Sequence, residues 1–352
     1  MNSVLCDTVP QFCRTLTRYG LQPETNGLIH TMYMNGSICK YQDVYLYAYR
    51  TDQKPYCTNP RIYITQTNDM YVPKGQSNFR LYVQSNKQGW RVDYTGTCNK
   101  GYRDRCEDPR LVVVKDRLYC FWTDGFKMYY GELQVHINDG TVTDIRLANQ
   151  WTPCPPYIRE LYNDDKYDGR EKNWTPFARG DQLWVVYSYS PFICLHLEEG
   201  KVVNMVRSKY TYEWKHGFIK GGTPAVWTGE CYVTFFHSTQ RIDGIAYYFM
   251  GACTFSEDLV PLEISRYPIV APYPDNDIER PNTSYVIFPA GVVHEDDKWY
   301  VSFGYNDHDV KVHAFTNREL EYNLTPAIRK YRVKNIWSTS KDCTPMAGSQ
   351  TQ

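Results

Sequence analysis

The chain has 352 residues, with 39 basic and 39 acidic side chains, so its formal net charge is zero. Hydrophobic residues make up 42% and aromatic residues 16%, which excludes a disordered chain, since disorder goes with low hydrophobicity and high net charge. Without a basic surplus there is nothing to neutralise a phosphate backbone, so a nucleic-acid polymer is not an expected partner.

The chain opens on MNSVLCDTVPQFCRTLTRYG, which lacks the basic and apolar regions of a secretory leader. No later run approaches the roughly 18–20 apolar residues of a membrane span. A cytoplasmic, reducing location is therefore expected. The 12 cysteines fit it, being scattered without a C-x-x-C pair. Those inside apolar stretches, such as Cys120, Cys194 and Cys231, read as small buried hydrophobes. No Cys/His set has zinc spacing, so no metal is expected, and no cofactor. Four N-x-S/T sequons begin at Asn35, Asn173, Asn282 and Asn323 and read as chance matches.

Helical periodicity is hard to find outside the N-terminal stretch, and Tyr, Trp, Val and Thr favour strands. Five segments then repeat one layout: a polar or Gly/Pro motif, an apolar strand, a polar turn and an aromatic-rich strand. They are NGLIHTMYMNGSICKYQDVYLYAYRTD from Asn26, RCEDPRLVVVKDRLYCFWTDG from Arg105, EKNWTPFARGDQLWVVYSYSP from Glu171, GGTPAVWTGECYVTFFHST from Gly221 and VIFPAGVVHEDDKWYVSFGYND from Val286. In four of them a proline (Pro109, Pro176, Pro224, Pro289) opens the first strand, where a missing N–H is tolerated. The second strands are continuous apolar runs, which means both sheet faces are covered. Recurring antiparallel sheets covered on both faces predict an all-β, five-bladed β-propeller. Insertions are expected around residues 138–167 and 267–281. A β-sandwich or β-helix is the competing arrangement.

In an antiparallel hairpin, the start of the first strand and the end of the second share one edge. That edge brings Glu107-Asp108 near Thr123-Asp124, Gly221-Gly222 near His237, and Phe288-Pro289 near Asn306-Asp307. It also sets Lys172-Asn173 opposite Ser188 and residues 26–31 near Arg50. Around one axis these groups form a funnel mouth of charged, polar and aromatic side chains, suited to a hydroxyl-rich ligand such as a sugar. Asp124 reads as a turn residue.

The runs Glu107-Asp108-Pro109-Arg110, Glu171-Lys172-Asn173, GGTP with FFHS, and FPAG with GYND together resemble glycoside hydrolase family 130. They also resemble its relatives, the protozoan β-1,2-mannosyltransferases and phosphorylases. The motifs follow family order over roughly residues 26–320. The resemblance implies a five-bladed propeller that makes or breaks β-mannosides with inversion, as a phosphorylase or as a transferase using a phosphorylated sugar. A β-mannoside hydrolase and a non-catalytic glycan-binding propeller are the alternatives. The implied partners are an oligosaccharide or glycan together with inorganic phosphate, a sugar 1-phosphate or a sugar nucleotide.

By the same resemblance Asp108 is the general acid, acting in many members through a sugar hydroxyl. Arg50, Lys172 and His237 are the cationic set for the attacking phosphate, with Glu107 and Arg110 flanking the acid. Hydrolytic relatives replace part of that set with glutamates, whereas this chain keeps Lys172 and His237. Asn173, Tyr248, Asn306 and Asp307 complete the expected substrate contacts. The first unit departs from the family, with NGLIHT in place of an Asn-Pro run. Trp174 and the aromatic abundance point to a divergent subgroup. The implied organisation is an extension over 1–25, one five-bladed catalytic propeller over 26–330, and a tail over 331–352 closing or flanking it.

Overall fold

The structure, a computed structural model, describes residues 13–15, 31–53, 60–68, 73–81, 106–156, 170–272, 284–307, 309–326 and 329–330. Strand β1 is Cys13–Thr15. The first blade holds β2 (Thr31–Tyr41), β3 (Val44–Gln53), β4 (Arg61–Thr67) and β5 (Pro73–Arg80). The second holds β6 (Glu107–Val114), β7 (Arg117–Thr123), β8 (Met128–Asn138) and β9 (Thr141–Trp151). The third holds β10 (Thr175–Arg179), β11 (Gln182–Tyr189), β12 (Phe192–Glu198) and β13 (Lys201–Arg207). After the short β14 (Tyr210–Thr211) come β15 (Phe218–Lys220), β16 (Val226–Trp227), β17 (Tyr232–Ile242), β18 (Ile245–Phe255), β19 (Pro261–Ser265) and β20 (Ser284–Tyr285). The chain continues with β21 (Ile287–Glu295), β22 (Lys298–Tyr305), β23 (Asp309–Thr316), helix α1 (Asn317–Asn323), β24 (Leu324–Pro326) and β25 (Arg329–Lys330).

The arrangement is an all-β propeller, but the expected count of five blades is corrected to four. Four sheets have four strands each, the last formed by β21, β22 and β23 with β1 added at its outer edge. The unit that begins at Gly221 is instead the centre of a seven-stranded sheet, β15-β17-β18-β19-β24, with β16 on β17 and β20 on β18. Its inner strand is broken in two around Gly221, Gly222 and Pro224, and distant segments are recruited to its free edges. Hairpin motifs in a sequence do not reveal such recruitment.

Continuous apolar runs arise because each strand serves two cores. Along β7, Leu118, Cys120 and Trp122 join Leu46, Ala48 and Ile62 of the first blade. The intervening Tyr119 and Phe121 join Val185, Ile193 and Leu195 of the third. The period of 2 is present but hidden, since both faces are apolar. In the same way Tyr47 and Tyr49 pack on Val310 and Val312, which joins the last sheet to the first.

Three further expectations need correction. Residues 138–151 are not an insertion but the outer hairpin of the second blade, held where Gln66 donates to Gly140 O at 2.7 Å. Residues 157–169 and 273–283 lie outside the described set, as do 1–12, 16–30 and 331–352. In the N-terminal stretch Cys13–Thr15 is extended and pairs with β23, while the helix lies at Asn317–Asn323. A reciprocal Thr316–Glu319 capping box starts that helix. Cys120 and Cys194 are free and buried and Cys231 is free and half-buried, but Cys154 is disulfide-bonded. No helix among the described residues is long and apolar enough to cross a membrane.

Candidate active site

The site is built from the ends of hairpins on neighbouring sheets. Glu107 opens β6 opposite Thr123, and the register then shifts before Arg110. That bulge places Asp108 in the left-handed region, at φ 56°. The adjoining blade does the same: β2 is bulged between Met34 and Ser37, and Asn35 has φ 50°. Asn and Asp tolerate this conformation better than other non-glycine residues.

The two bulges meet. Asn35 Nδ2 donates to Asp108 Oδ1 at 2.7 Å, and Arg50 Nη1 lies 3.3 Å from the same oxygen. Arg50 also lies 3.3 Å from Glu107 Oε2, so one guanidinium ties both carboxylates. Neither contact uses Asp108 Oδ2. The Asp108 side chain keeps 12% of its surface exposed, so the carboxyl is enclosed yet reachable.

Arg110 is the hub behind it and is wholly buried. It donates from Nε to Gly222 O at 2.6 Å, from Nη1 to Asp108 O at 3.2 Å, and from Nη2 to Asn173 Oδ1 at 3.1 Å and Gly221 O at 3.4 Å. Rather than facing the Asp108 carboxyl, it fixes that residue's main chain. Burial pulls its pKa down to about 10, against the opposing pull of Asp108 and Tyr189, so the guanidinium stays charged at neutral pH. Gly221 permits the close approach, because a Cβ there would stand 2.0 Å from Asn173 O.

His237 lies on β17 opposite Lys220 and is 1% exposed. Burial, then the charges of Lys220, Arg110 and Lys172, push its pKa well down, so the ring is neutral near pH 7. Nδ1 has no hydrogen-bond partner among the described residues. The ring stacks on Tyr248 at 5.9 Å and lies 4.7 Å from Phe288.

Thus Arg50, Glu107, Asp108, Arg110 and Asn173 form one bonded network. The Lys172 charge reaches the His237 ring and disfavours its protonation, and Tyr248 lies beside the imidazole. Asn306 plays another part. It clamps Val286 through Asn306 N to Val286 O at 2.8 Å and Val286 N to Asn306 Oδ1 at 3.0 Å, while its buried Nδ2 has no partner among the described residues. No hydrogen bond among the described residues joins it to the Asp108 network. Asp307, half-buried and also at positive φ, follows it in the same turn. Asp124 is a turn residue as expected, accepting from Phe126 N and Lys127 N.

Two site residues escaped the sequence reading. Asn35 lies beyond residues 26–31, the expected opening of the first hairpin, of which only Thr31 is described. Arg50 pairs with Met34, next to the bulge. The Asn-Gly dipeptide at 35–36, typical of positive φ, was the signal. Lys220, just ahead of the Gly221-Gly222 break, was the other. Two of the sequons, at Asn35 and Asn173, are buried within the candidate site. Among the described residues no group of three or more His, Cys, Asp or Glu side chains is placed to hold a metal ion.

An all-β propeller whose neighbouring sheets are joined through a bonded Asp108–Arg50–Arg110 network is the frame for comparison with known families. The sequence profile of glycoside hydrolase family 130, described as beta-1,4-mannooligosaccharide phosphorylase, matches residues 95–324. The chain belongs to that family. Among solved structures it is similar to the beta-1,2-mannobiose phosphorylase of Listeria innocua, at 12% identity and TM-score 0.59, covering 88% of this chain and 96% of that one. A glycosyl hydrolase from Bacteroides ovatus is similar at 13% identity and TM-score 0.55, covering 92% and 94%. A putative glycosidase from Bacteroides thetaiotaomicron is similar at 14% identity and TM-score 0.55, covering 82% and 87%. At such identities the likeness shows the fold. No curated protein sequence matches the chain significantly.

Proposed function

We propose that the protein is an inverting β-mannoside phosphorylase that also runs in the synthetic direction from a sugar 1-phosphate, its catalytic unit spanning residues 26–330. Phosphate oxygen attacks the anomeric carbon from the face opposite the glycosidic oxygen. The bond from that carbon to the leaving oxygen breaks, and Asp108 supplies the proton that the leaving oxygen takes up, directly or through a sugar hydroxyl. The products are an α-linked sugar 1-phosphate and a glycan one unit shorter. Asp108 remains as a carboxylate until it is reprotonated.

The observation that carries this reading is the pairing of one reachable carboxyl with a cationic flank. Among the described residues the Asp108 carboxyl is held through Oδ1, and Arg110, Lys172 and Lys220 all act on the neutral His237. Such a flank suits an anionic nucleophile, where preorganised charge contributes most. Hydrolysis would instead need a second carboxylate free to serve as base. Here Glu107 is tied to Arg50, and Glu171 accepts from Trp174 Nε1 at 3.2 Å and Tyr187 OH at 3.0 Å.

Incubation with β-1,2- and β-1,4-mannooligosaccharides, with and without phosphate, and mass spectrometry of the products tests the proposal. Sugar 1-phosphate is expected only when phosphate is present, and Asp108→Asn is expected to abolish it while the melting temperature holds. Release of free sugar without phosphate would make the protein a hydrolase. Elongation only from a sugar nucleotide would make it a transferase, and saturable binding without turnover would make it a lectin. Undiminished turnover by Asp108→Asn would remove the assignment of the acid.

A further inference from the structure

The segment that leads into β10 carries Lys172 with a fixed neighbour on each side. Glu171 N donates to Phe126 O at 2.9 Å, and Thr123 Oγ1 lies 3.3 Å from Glu171 O. The Glu171 main chain is thus docked on the β7–β8 turn of the second blade, beside Thr123, the cross-strand partner of Glu107. Its carboxylate turns the other way, to the third blade. Oε2 accepts from Trp174 Nε1 at 3.2 Å, and Oε1 accepts from Tyr187 OH at 3.0 Å. Asn173, on the far side of Lys172, has a φ of 61° and is tied through Oδ1 to Arg110.

The two donors are themselves held. Trp174 and Tyr187 come next past the Thr175↔Val186 pair of the β10–β11 hairpin and meet edge to face at 5.5 Å. Trp174 is 1% exposed in the core that joins the second and third blades, and Tyr187 packs against that core. An indole N–H can only donate, and when buried it needs an acceptor, which Glu171 supplies. A lysine reaches its ligand on a long flexible stem, so what the protein can fix in advance is the main chain at its root.

From these contacts we infer that Trp174 and Tyr187 are positioning residues for Lys172: by gripping the Glu171 carboxylate they hold the main chain from which the Lys172 ammonium meets the attacking phosphate. The inference rests on the phosphorylase reading for the identity of that anion. Lys172 is half-buried, and its charge reaches the His237 ring, so it belongs to the cationic flank. The two bonds of the grip do not involve Asp108, so they bear on the anion and not on the acid. Loosening them transfers the ordering of one residue's main chain from folding to phosphate binding.

Steady-state phosphorolysis of a β-mannooligosaccharide by the full chain, with phosphate and glycan varied in turn, tests the grip. Tyr187→Phe removes one hydroxyl and keeps the ring, and Trp174→Phe removes the indole N–H. In each, KM for phosphate is expected to rise about 5- to 30-fold, the cost of ordering one main-chain residue on binding. KM for the glycan, and kcat at saturating phosphate, should stay within about twofold of wild type. In a Lys172→Met background neither substitution should raise the phosphate KM further. A merely structural role would lower the melting temperature and the active fraction without singling out phosphate. An unchanged phosphate KM in both variants, an equal rise in both KM values, or a further rise in the Lys172→Met background would overturn the inference and leave the phosphorylase reading standing. A wild-type protein without phosphate-dependent turnover would remove that reading, and the inference with it.

Discussion

Gly304→Ala is expected to disable the acid without touching it. Gly304 lies in β22, and a Cβ placed on it would stand 2.1 Å from Asn35 Oδ1 and 3.1 Å from Asn35 N. Its φ is outside the left-handed region, so alanine adds no backbone strain of its own. The Asn35 amide must therefore rotate away, and its 2.7 Å bond to Asp108 Oδ1 breaks. A hydrogen bond to a charged group contributes about 1.5–3 kcal/mol. If that bond holds Asp108 in its productive orientation, kcat falls roughly 10- to 100-fold. Overpacking at the new methyl costs stability of about 1–3 kcal/mol, seen as a lower melting temperature. The control is Asn35→Gly, since glycine accepts the φ of 50° and removes the same bond. With the amide gone, Gly304→Ala has little left to displace, so the double variant should be hardly slower than Asn35→Gly alone. Phosphorolysis rates of the four proteins complete the cycle. Additive losses in kcat, or a Gly304→Ala enzyme within twofold of wild type, would refute the claim that Asn35 orients the acid.

Two further outcomes concern the hub and the imidazole. Arg110→Met strips the donor from three carbonyl oxygens and Asn173 Oδ1, a loss of about 3–5 kcal/mol once partial hydration is allowed for. Over a chain of this length that lowers the melting temperature by roughly 4–7 °C. Arg110→Lys should recover only part of it, because an ammonium cannot reproduce the fork, and full recovery would show that charge alone matters. His237 stays neutral in the folded protein because burial and its cationic neighbours depress its pKa, whereas the unfolded chain titrates it near 6.5. As pH falls below about 6.5 the unfolded state binds a proton that the folded state refuses, so stability drops by up to about 1.4 kcal/mol per unit. His196 and His216 shift the same way, so the readout is the difference between wild type and His237→Gln. Denaturant titrations at several pH values should give the variant a shallower acid limb, and parallel curves would contradict the assignment.

What could be read from the sequence was what antiparallel pairing makes local. The juxtaposition of Glu107 with Thr123, and of the Gly221-Gly222 break with His237, follows from hairpin register within one sheet. Arg110 was placed beside Asp108 by adjacency, but its partners Gly221, Gly222 and Asn173 come from other sheets, and no local pattern announces them. The blade count failed for a similar reason. A hairpin motif marks two strands, and whether β20 or β24 then joins an existing sheet depends on edges left open far along the chain.

The recurrence of left-handed Asx residues ties these observations together. Asn35, Asp108 and Asn173 have φ of 50°, 56° and 61°, each at or just before the inner strand of its blade. A bulge or turn at that point rotates the residue out of the ladder, so its side chain turns to the shared axis rather than into one of the two flanking cores. Such backbone is unfavourable for most side chains, and Asn and Asp bear it best. All three side chains bond beyond their own blade in the candidate site: Asn35 to Asp108, Asp108 to Arg50, and Asn173 to Arg110. An Asn or Asp at a bulge within an apolar inner strand, or just ahead of one, is thus the physical signature of this site. It explains why NGS and NWT, though they have the form of glycosylation sequons, lie buried in the candidate site. Replacing any of the three by a β-branched residue would strain the backbone and remove the cross-blade bond at once.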